Sequence, residues 1–328
     1  MDKIRLATIG SGAIVRSILD GVKETCGMEL EAVCSRSGEK GRELAKAYGA
    51  EKVYTDMDEM LRDERINFVY IASPNSLHYE HSKKALLAGK NVLCEKPFCT
   101  TLSQARELYE TAEERGLFLV EMVPTCFLPN FPVLKEAVSK IGRIKLIIGN
   151  YTQYSARYDK LLAGELPNVF NPEYAGGCLM DINYYNVYLT QALFGKPKAI
   201  RYHPNLMGGV DTSGTAIMVY DGFVASLAGG KDCRGDSFYQ IEGEKGFVNV
   251  IGGCNGLDRI RVVAEGRDEI LDLQPNPDRW YYEMQALTPM LLKGDRKAFD
   301  DARERTLLQT ELIENARKAA GIVYPGEL

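Results

Sequence analysis

The sequence predicts an α/β protein of two domains: an N-terminal domain built on a parallel sheet, then a C-terminal α+β domain with a large open, mostly antiparallel sheet. Three observations carry that prediction. Short apolar runs alternate with amphipathic stretches through the first third of the chain, the rhythm of βαβ units. Gly10 and Gly12 stand between the first apolar run and the first helical stretch, where a strand must turn sharply into a helix. After about Val123 the texture changes: Pro124, Pro129 and Pro132 mark a junction, and β-branched runs with short turns follow. A chain of 328 residues is too long for one ordinary core and comfortable for two, divided here at 1–122 and 123–328.

Each element has its own reason. In the first domain, strands are read at residues 4–9, 30–34, 52–54, 68–72, 91–94 and 118–121, short apolar runs bounded by turn residues. Helical spacing covers 39–48, 77–87 and 102–115, and each stretch stops at a glycine, Gly49, Gly89 or Gly116. This is a Rossmann arrangement. In the second domain a β-branched run at 144–154 opens a strand series that continues at 199–203, 215–220, 224–227, 238–242, 247–250, 260–263 and 269–273. A helical segment at 177–193, stopping at Phe194-Gly195, precedes most of these strands. Helices at 280–292 and about 302–320 close the chain, the last a candidate to pack back on the first domain.

Apolar residues make up 45% and charged residues 26%, the balance of a soluble globular protein. A formal charge of -5 without any Lys/Arg block disfavours a nucleic-acid partner. The eight cysteines form no Cys-x-x-Cys pair and fall in apolar or strand-like contexts, which fits reduced thiols rather than disulfides or a zinc site. The opening run Lys3-Ile4-Arg5-Leu6-Ala7-Thr8-Ile9 is too short for a signal peptide or membrane span, so a cytoplasmic location without a membrane partner is expected.

Four segments carry candidate chemistry in the first domain. Gly10-Ser11-Gly12-Ala13-Ile14 opens the first helix as a dinucleotide fingerprint does: Gly10 for the turn, Gly12 for close approach of the diphosphate, and helix amides facing that anion. Val15 stands where the third small residue is usual, so the match is partial, and a merely tight turn is the alternative. After the second strand, Ser35 and Arg36 replace the acid that would bond a ribose 2′-hydroxyl; a guanidinium suits a 2′-phosphate and favours NADP over NAD. Arg36 stacked on adenine or simply exposed would tolerate either cofactor. Ser73, Asn75 and His78 follow the fourth strand, as a loop against the cofactor with His78 near the diphosphate or capping the next helix. His78 with His81 is at most half a metal site, no further ligand completes it, and His81 reads as a helix-surface residue. Lys96, in Glu95-Lys96-Pro97, ends the fifth strand, where an ammonium points into the ligand crevice of an α/β sheet.

The second domain supplies Gly176-Gly177-Cys178-Leu179-Met180-Asp181-Ile182-Asn183-Tyr184-Tyr185-Asn186. On one helix Asp181 and Tyr185 are four apart and share a face, so a carboxylate and a phenol reach one spot. Surface pairing or core packing is the plainer account of such a pair; the two glycines before it signal close backbone approach.

With these residues in hand the chain resembles the glucose-fructose oxidoreductase and inositol dehydrogenase (Gfo/Idh/MocA) family along nearly its whole length. The resemblance rests on the Gly-x-Gly turn, Ser73-Pro74-Asn75, Glu95-Lys96-Pro97, the Gly-Gly-to-Asp181 helix and the closing amphipathic helix. It implies a catalytic role for Lys96, a cofactor-side position for Glu95, and an Asp181 that positions substrate and lysine. Tyr185, where the family often has histidine, resembles the branch of glucose-fructose oxidoreductase, dihydrodiol dehydrogenases and xylose dehydrogenases, in which tyrosine is the acid/base and NADP is usual. Asn183 departs from the glycine of both branches, which bears on the floor of the pocket.

The expected reaction is hydride transfer between a nicotinamide and a secondary carbinol of a sugar, cyclitol or dihydrodiol. Tyr185 would take the hydroxyl proton, Lys96 would assist the tyrosine and hold the reacting oxygen, and Asp181 would orient the lysine. Arg157, Asn168 and the polar and aromatic runs at 151–158 and 168–171 would wrap the substrate. A non-catalytic cofactor-binding regulator and a redox-neutral enzyme with tightly held NAD(P) are the alternatives. An uncovered sheet face in the second domain would make a homodimer or homotetramer.

Overall fold

The computed structural model describes residues 2–327. It divides the chain into two units, and the division is not a single cut: residues 1–127 with 278–307 form one, residues 128–277 with 308–328 the other.

The first unit runs β1 (Ile4–Ile9), α1 (Ala13–Lys23), β2 (Met28–Cys34), α2 (Gly38–Tyr48), β3 (Lys52–Tyr54), α3 (Met57–Leu61), β4 (Phe68–Ile71), α4 (His78–Leu87), β5 (Asn91–Glu95), α5 (Leu102–Glu114) and β6 (Leu119–Met122). The strands order β3-β2-β1-β4-β5-β6, all parallel, with the reversal of strand order between β1 and β4. Continuous apolar strands suit a sheet covered on both faces. In β4 all four residues are buried: Phe68 and Tyr70 face one apolar cluster, Val69 and Ile71 the other. The helix α3 was not read from the sequence; Asp56 caps it by accepting from the Glu59 amide at 3.0 Å.

The second unit begins with α6 (Asn130–Lys140) and β7 (Ile144–Thr152), then α7 (Ala156–Leu162), α8 (Cys178–Asp181) and α9 (Asn183–Phe194). There follow β8 (Ala199–Met207), β9 (Val210–Val219), β10 (Val224–Gly230), β11 (Phe238–Gly243), β12 (Gly246–Ile251), β13 (Arg259–Ala264) and β14 (Arg267–Leu271). The eight strands order β14-β13-β12-β11-β7-β10-β9-β8, antiparallel except for the central pair β7 and β10. Helices α8, α9 and α6 cover one face, where Ile147, Leu227, Tyr239, Ile241 and Val248 are buried. The opposite face carries half-exposed Leu146, Ile148, Phe238 and Phe247 among Ser226, Gln240 and Asn249.

Helix α7 was absent from the sequence reading, and two further readings of this unit change. The proline-marked junction holds a helix, α6, because Pro129 precedes it and Pro132 lies in its first turn, where the missing amide costs no intrahelical bond. The single helix expected over 177–193 is two, α8 and α9, meeting at Ile182; just beyond the break Asn183 turns inward and donates to the Leu227 carbonyl at 3.0 Å.

The chain closes with α10 (Arg279–Lys293) and α11 (Arg296–Ala319). Met284, Leu287, Leu291 and Phe299 complete the core against Val15, Ile18 and Leu19 of α1, which is why residues 278–307 count with the first unit. The last turns of α11 belong to the second, where buried Arg317 forks onto the Glu327 carboxylate at 2.5 and 2.7 Å.

Candidate functional site

The carboxyl edge of the parallel sheet gathers the first set of residues. Gly10, with φ +113°, turns the chain out of β1, and a Cβ there would lie 2.8 Å from the Ala72 carbonyl oxygen. Only glycine fits on both counts. Gly12 begins α1 with no side-chain cap and open space around the position a Cβ would take. The amides of Ala13, Ile14 and the rest of the first turn have no intrahelical acceptors, and no acid stands among them. That surface fits an anionic diphosphate.

The hydroxyls expected to face a cofactor are partly spoken for. Ser11 Oγ and Ser35 Oγ lie 3.2 Å apart, tying the turn after β1 to the one after β2, and Ser35 is buried. Arg36 beside it is exposed, and its charge contributes to holding the His81 imidazole below its ordinary range, an effect led by burial. His81 is half-buried rather than a plain surface residue, with Nδ1 at 3.0 Å from Ser73 Oγ. His78 is buried, with Nδ1 2.9 Å from the Pro97 carbonyl and Nε2 2.8 Å from the Ser73 carbonyl. Burial pushes this imidazole down, against the pull of the two carbonyls. Its ring therefore binds the Ser73 loop to the strand end that carries Lys96. Asn75 opens the single 3-10 turn that leads into α4.

Lys96 is the residue after β5 and is half-buried, and the Lys96-Pro97 peptide is cis. Glu95 before it is turned into the interior, where its carboxylate accepts from the Tyr70 hydroxyl at 2.7 Å. Burial pushes that carboxyl up to about 7, with the Tyr70 bond pulling the other way. Two further buried acids lie in the same interior. Glu121 accepts from the Phe98 amide and the Thr306 hydroxyl, and burial raises Glu283 well above the ordinary range.

The second set lies over the carboxyl ends of β7 and β10. A Cβ on Gly176 would meet the Val169 carbonyl at 2.6 Å, and one on Gly177 would overlap the Asp211 carboxylate. The close approach signalled by these glycines is thus to the protein's own chain. Asp211 is fully buried and accepts from the Leu179 amide and the Tyr202 hydroxyl, both at 2.6 Å, which seats the start of α8 on β9. Tyr324 donates to the Gly176 carbonyl at 2.8 Å and fixes the turn from the other side.

Asp181 ends α8 and pairs with the Lys231 ammonium, which stands just past β10. Tyr185 lies on the first turn of α9, 6% exposed, its ring edge-on to Tyr151 at 6.1 Å. Asn255 donates to the Tyr151 hydroxyl at 2.7 Å. Tyr151 pairs in register with Gly229, two residues before Lys231, so the partners of Tyr185 and Asp181 emerge from the same end of one strand pair. Asn183 points beneath α9 instead of into this surface: its Oδ1 accepts from Asn186 at 2.9 Å, and a Cβ on Gly229 would lie 2.6 Å from its own Cβ. Gly229 makes the room that Asn183 takes. Arg157 and Asn168 are exposed, on the first turn of α7 and on a short 3-10 turn respectively.

Sequence reasoning missed Lys231, Asp211 and Asn255. A signal existed for the first: Lys231 follows a glycine pair at the carboxyl end of a strand in a parallel pair, the same placement that singles out Lys96.

Comparison with known proteins identifies the family and the fold. Residues 4–122 match the oxidoreductase family with an NAD-binding Rossmann fold, and residues 134–249 match the GFO/IDH/MocA C-terminal domain. The chain is 36% identical over 326 residues to scyllo-inositol 2-dehydrogenase (NADP(+)) IolU of Bacillus subtilis, covering 99% of each chain. It is 28% identical to human trans-1,2-dihydrobenzene-1,2-diol dehydrogenase, covering 90% of each. Among solved structures, a 3-ketoreductase from Actinomadura kijaniata, in complex with NADP and TDP-benzene, superposes with a TM-score of 0.83 at 24% identity. That match covers 97% of this chain and 98% of the other, and it speaks to the fold.

Proposed function

The chain belongs to the Gfo/Idh/MocA oxidoreductase family, and on that premise we propose that it is an NADP(H)-dependent dehydrogenase acting on a secondary carbinol of a cyclitol, sugar or dihydrodiol. One observation carries the reading: the buried Tyr185 phenol and the Asp181–Lys231 pair stand together over the ends of β7 and β10, in a chain that also keeps Lys96 at the end of β5. A regulator that only sensed a cofactor would have no use for that set of proton-handling groups.

The bound nicotinamide supplies the hydride acceptor or donor, and the protein supplies binding, orientation and proton handling. Gly10, Gly12 and the α1 amides hold the diphosphate, and Arg36 takes the 2′-phosphate, with two parallel N–H bonds available from its guanidinium. Tyr185 removes the hydroxyl proton in oxidation and returns it in reduction. Lys96 donates a hydrogen bond to the reacting oxygen and favours the phenolate through its charge. Asp181 accepts from a substrate hydroxyl. The half-apolar face of the eight-stranded sheet, with Leu146, Ile148, Phe238 and Phe247, pairs with a second copy of the chain.

The test is a panel of inositols, aldoses and cyclic diols with NADP and with NAD, followed by reduced-nicotinamide absorbance. Turnover with a cyclitol and NADP is expected. Tight NADP binding without turnover on any member of the panel would overturn the reading.

A further inference from the structure

Of the charged groups around α8, Lys231 is the one that neither the family resemblance nor the reaction accounts for. Its backbone is fixed on both sides, donating to the Thr212 carbonyl at 2.8 Å and accepting from the Ser155 amide at 2.9 Å. Its side chain is only 7% exposed, while that of its partner Asp181 is 31% exposed. The ammonium thus lies underneath and the carboxylate above it.

Three acids compete for such a cation. Asp211 already accepts from Tyr202 and Leu179, and Asp232 accepts from the Thr212 and Ser213 hydroxyls at 2.7 and 2.9 Å. The lysine goes to Asp181, which is partly exposed where Asp211 is fully buried. The remaining titratable neighbour, the Cys178 thiol, is held neutral by burial. Enclosing an ammonium is costly unless a well-placed anion offsets it, and apolar packing would fill the same space without that cost. A buried lysine under a substrate-facing acid therefore has its use in what it does to the acid.

Resting on the dehydrogenase reading above, we propose that Lys231 is a positioning residue that holds the Asp181 carboxylate aimed as an acceptor for a second hydroxyl of the substrate, next to the one oxidised. The strand register supports the adjacency: Tyr151, which packs on Tyr185, is paired with Gly229, and Lys231 follows two residues later. The dyad selects for vicinal diols. A site built to bond a hydroxyl discriminates strongly against the analogue that lacks it, because its polar groups are then left unpaired.

The experiment compares wild type, Lys231→Met, Lys231→Arg, Asp181→Asn and the Lys231→Met/Asp181→Asn double variant. Each is assayed on the best polyol from the panel and on its deoxy analogue lacking the neighbouring hydroxyl, with NADP affinity and melting temperature measured alongside. Lys231→Met is expected to raise KM at least tenfold with kcat changed less than threefold. It should also cut the preference for the diol over the deoxy analogue by a similar factor. Lys231→Arg should recover most of both, and the double variant should be no worse than Asp181→Asn alone. A folded Lys231→Met with unchanged KM and unchanged diol preference would overturn the proposal, as would losses in the double variant equal to the product of the two singles. If Lys231→Met does not fold, Lys231→Gln takes its place with the same two readouts: a raised KM with lost diol preference supports the dyad, and an unchanged preference with an intact fold rejects it. A wild type that turns over no polyol rejects the dehydrogenase reading itself, a separate result from an active wild type indifferent to position 231.

Discussion

At the carboxyl edge of the six-stranded sheet the candidate site is made largely of backbone, whereas over the ends of β7 and β10 it is made of side chains. In the first, Gly10 makes the turn against Ala72, Gly12 leaves open space at the start of α1, and several nearby side chains, Ser35, His78 and His81, brace one loop against another. In the second, Asp181, Lys231, Tyr185, Tyr151 and Asn255 pair and pack through their side chains. On the proposed reading, backbone amides would recognise what every dinucleotide shares, and side chains would distinguish one polyol from another. The difference predicts that variants at the first edge act on cofactor affinity, and variants at the second on substrate.

The sharpest break in that rule is Lys96, a side chain at the backbone-built edge. Lys96→Met and Tyr185→Phe should each lower kcat by about 10²- to 10⁴-fold, the usual worth of a positioned acid or base, with NADP affinity kept within a few-fold. Stopped-flow and binding titrations decide; wild-type turnover in either variant would remove that residue from the proton path. Next in size is Glu95. Its carboxyl is raised by burial from the ordinary 4.5 to about 7, so the folded chain prefers the protonated form. The sign follows: this contribution to stability is complete below pH 4.5 and is lost as pH rises through 7, up to on the order of 3 kcal/mol. Denaturant titrations at pH 5 and pH 8 should show less loss in Glu95→Gln than in wild type.

A smaller effect probes the floor of the side-chain edge. Gly229→Ala places a Cβ 2.6 Å from that of Asn183 and should cost about 1–3 kcal/mol, the range for overpacking a filled core. Adding Asn183→Gly should restore part of it, and strictly additive melting shifts would show that the two positions do not share the space. Smallest is Arg36→Ala, expected to reduce the preference for NADP over NAD about tenfold, or about 1.4 kcal/mol, while leaving the KM for substrate alone. Equal losses with both cofactors would assign Arg36 to the adenine face instead.

The same contrast governs what could be read from the sequence. The parallel sheet was legible because each strand is a short apolar run and each crossover helix repeats on one face, a pattern contained in ten or so consecutive residues. Gly10, Gly12 and Lys96 were legible because their meaning is fixed by a neighbouring strand end. Lys231 and Asp181 are 50 residues apart and Asn255 and Tyr151 are 104 apart, distances over which no local period operates. Asn183 was read as a disturbance of the pocket floor because its compensating partner, Gly229, lies on a different element. The helix α6 was hidden by its prolines, whose tolerance in a first turn depends on where the helix begins.

The helix α11 bears on how this protein can be re-engineered. Because it begins among the residues of the first unit and ends among those of the second, the polypeptide passes from one to the other near 127, 277 and 307. Exchanging the second unit between relatives thus cannot be a single splice. A working chimera must transplant 128–277 and, separately, the tail from 308, since that tail brings Arg317 and the Tyr324 hydroxyl that secures Gly176. Grafts that stop at 277 would carry Asp181, Tyr185 and Lys231 and leave behind the Tyr324 bond that fastens the turn before α8.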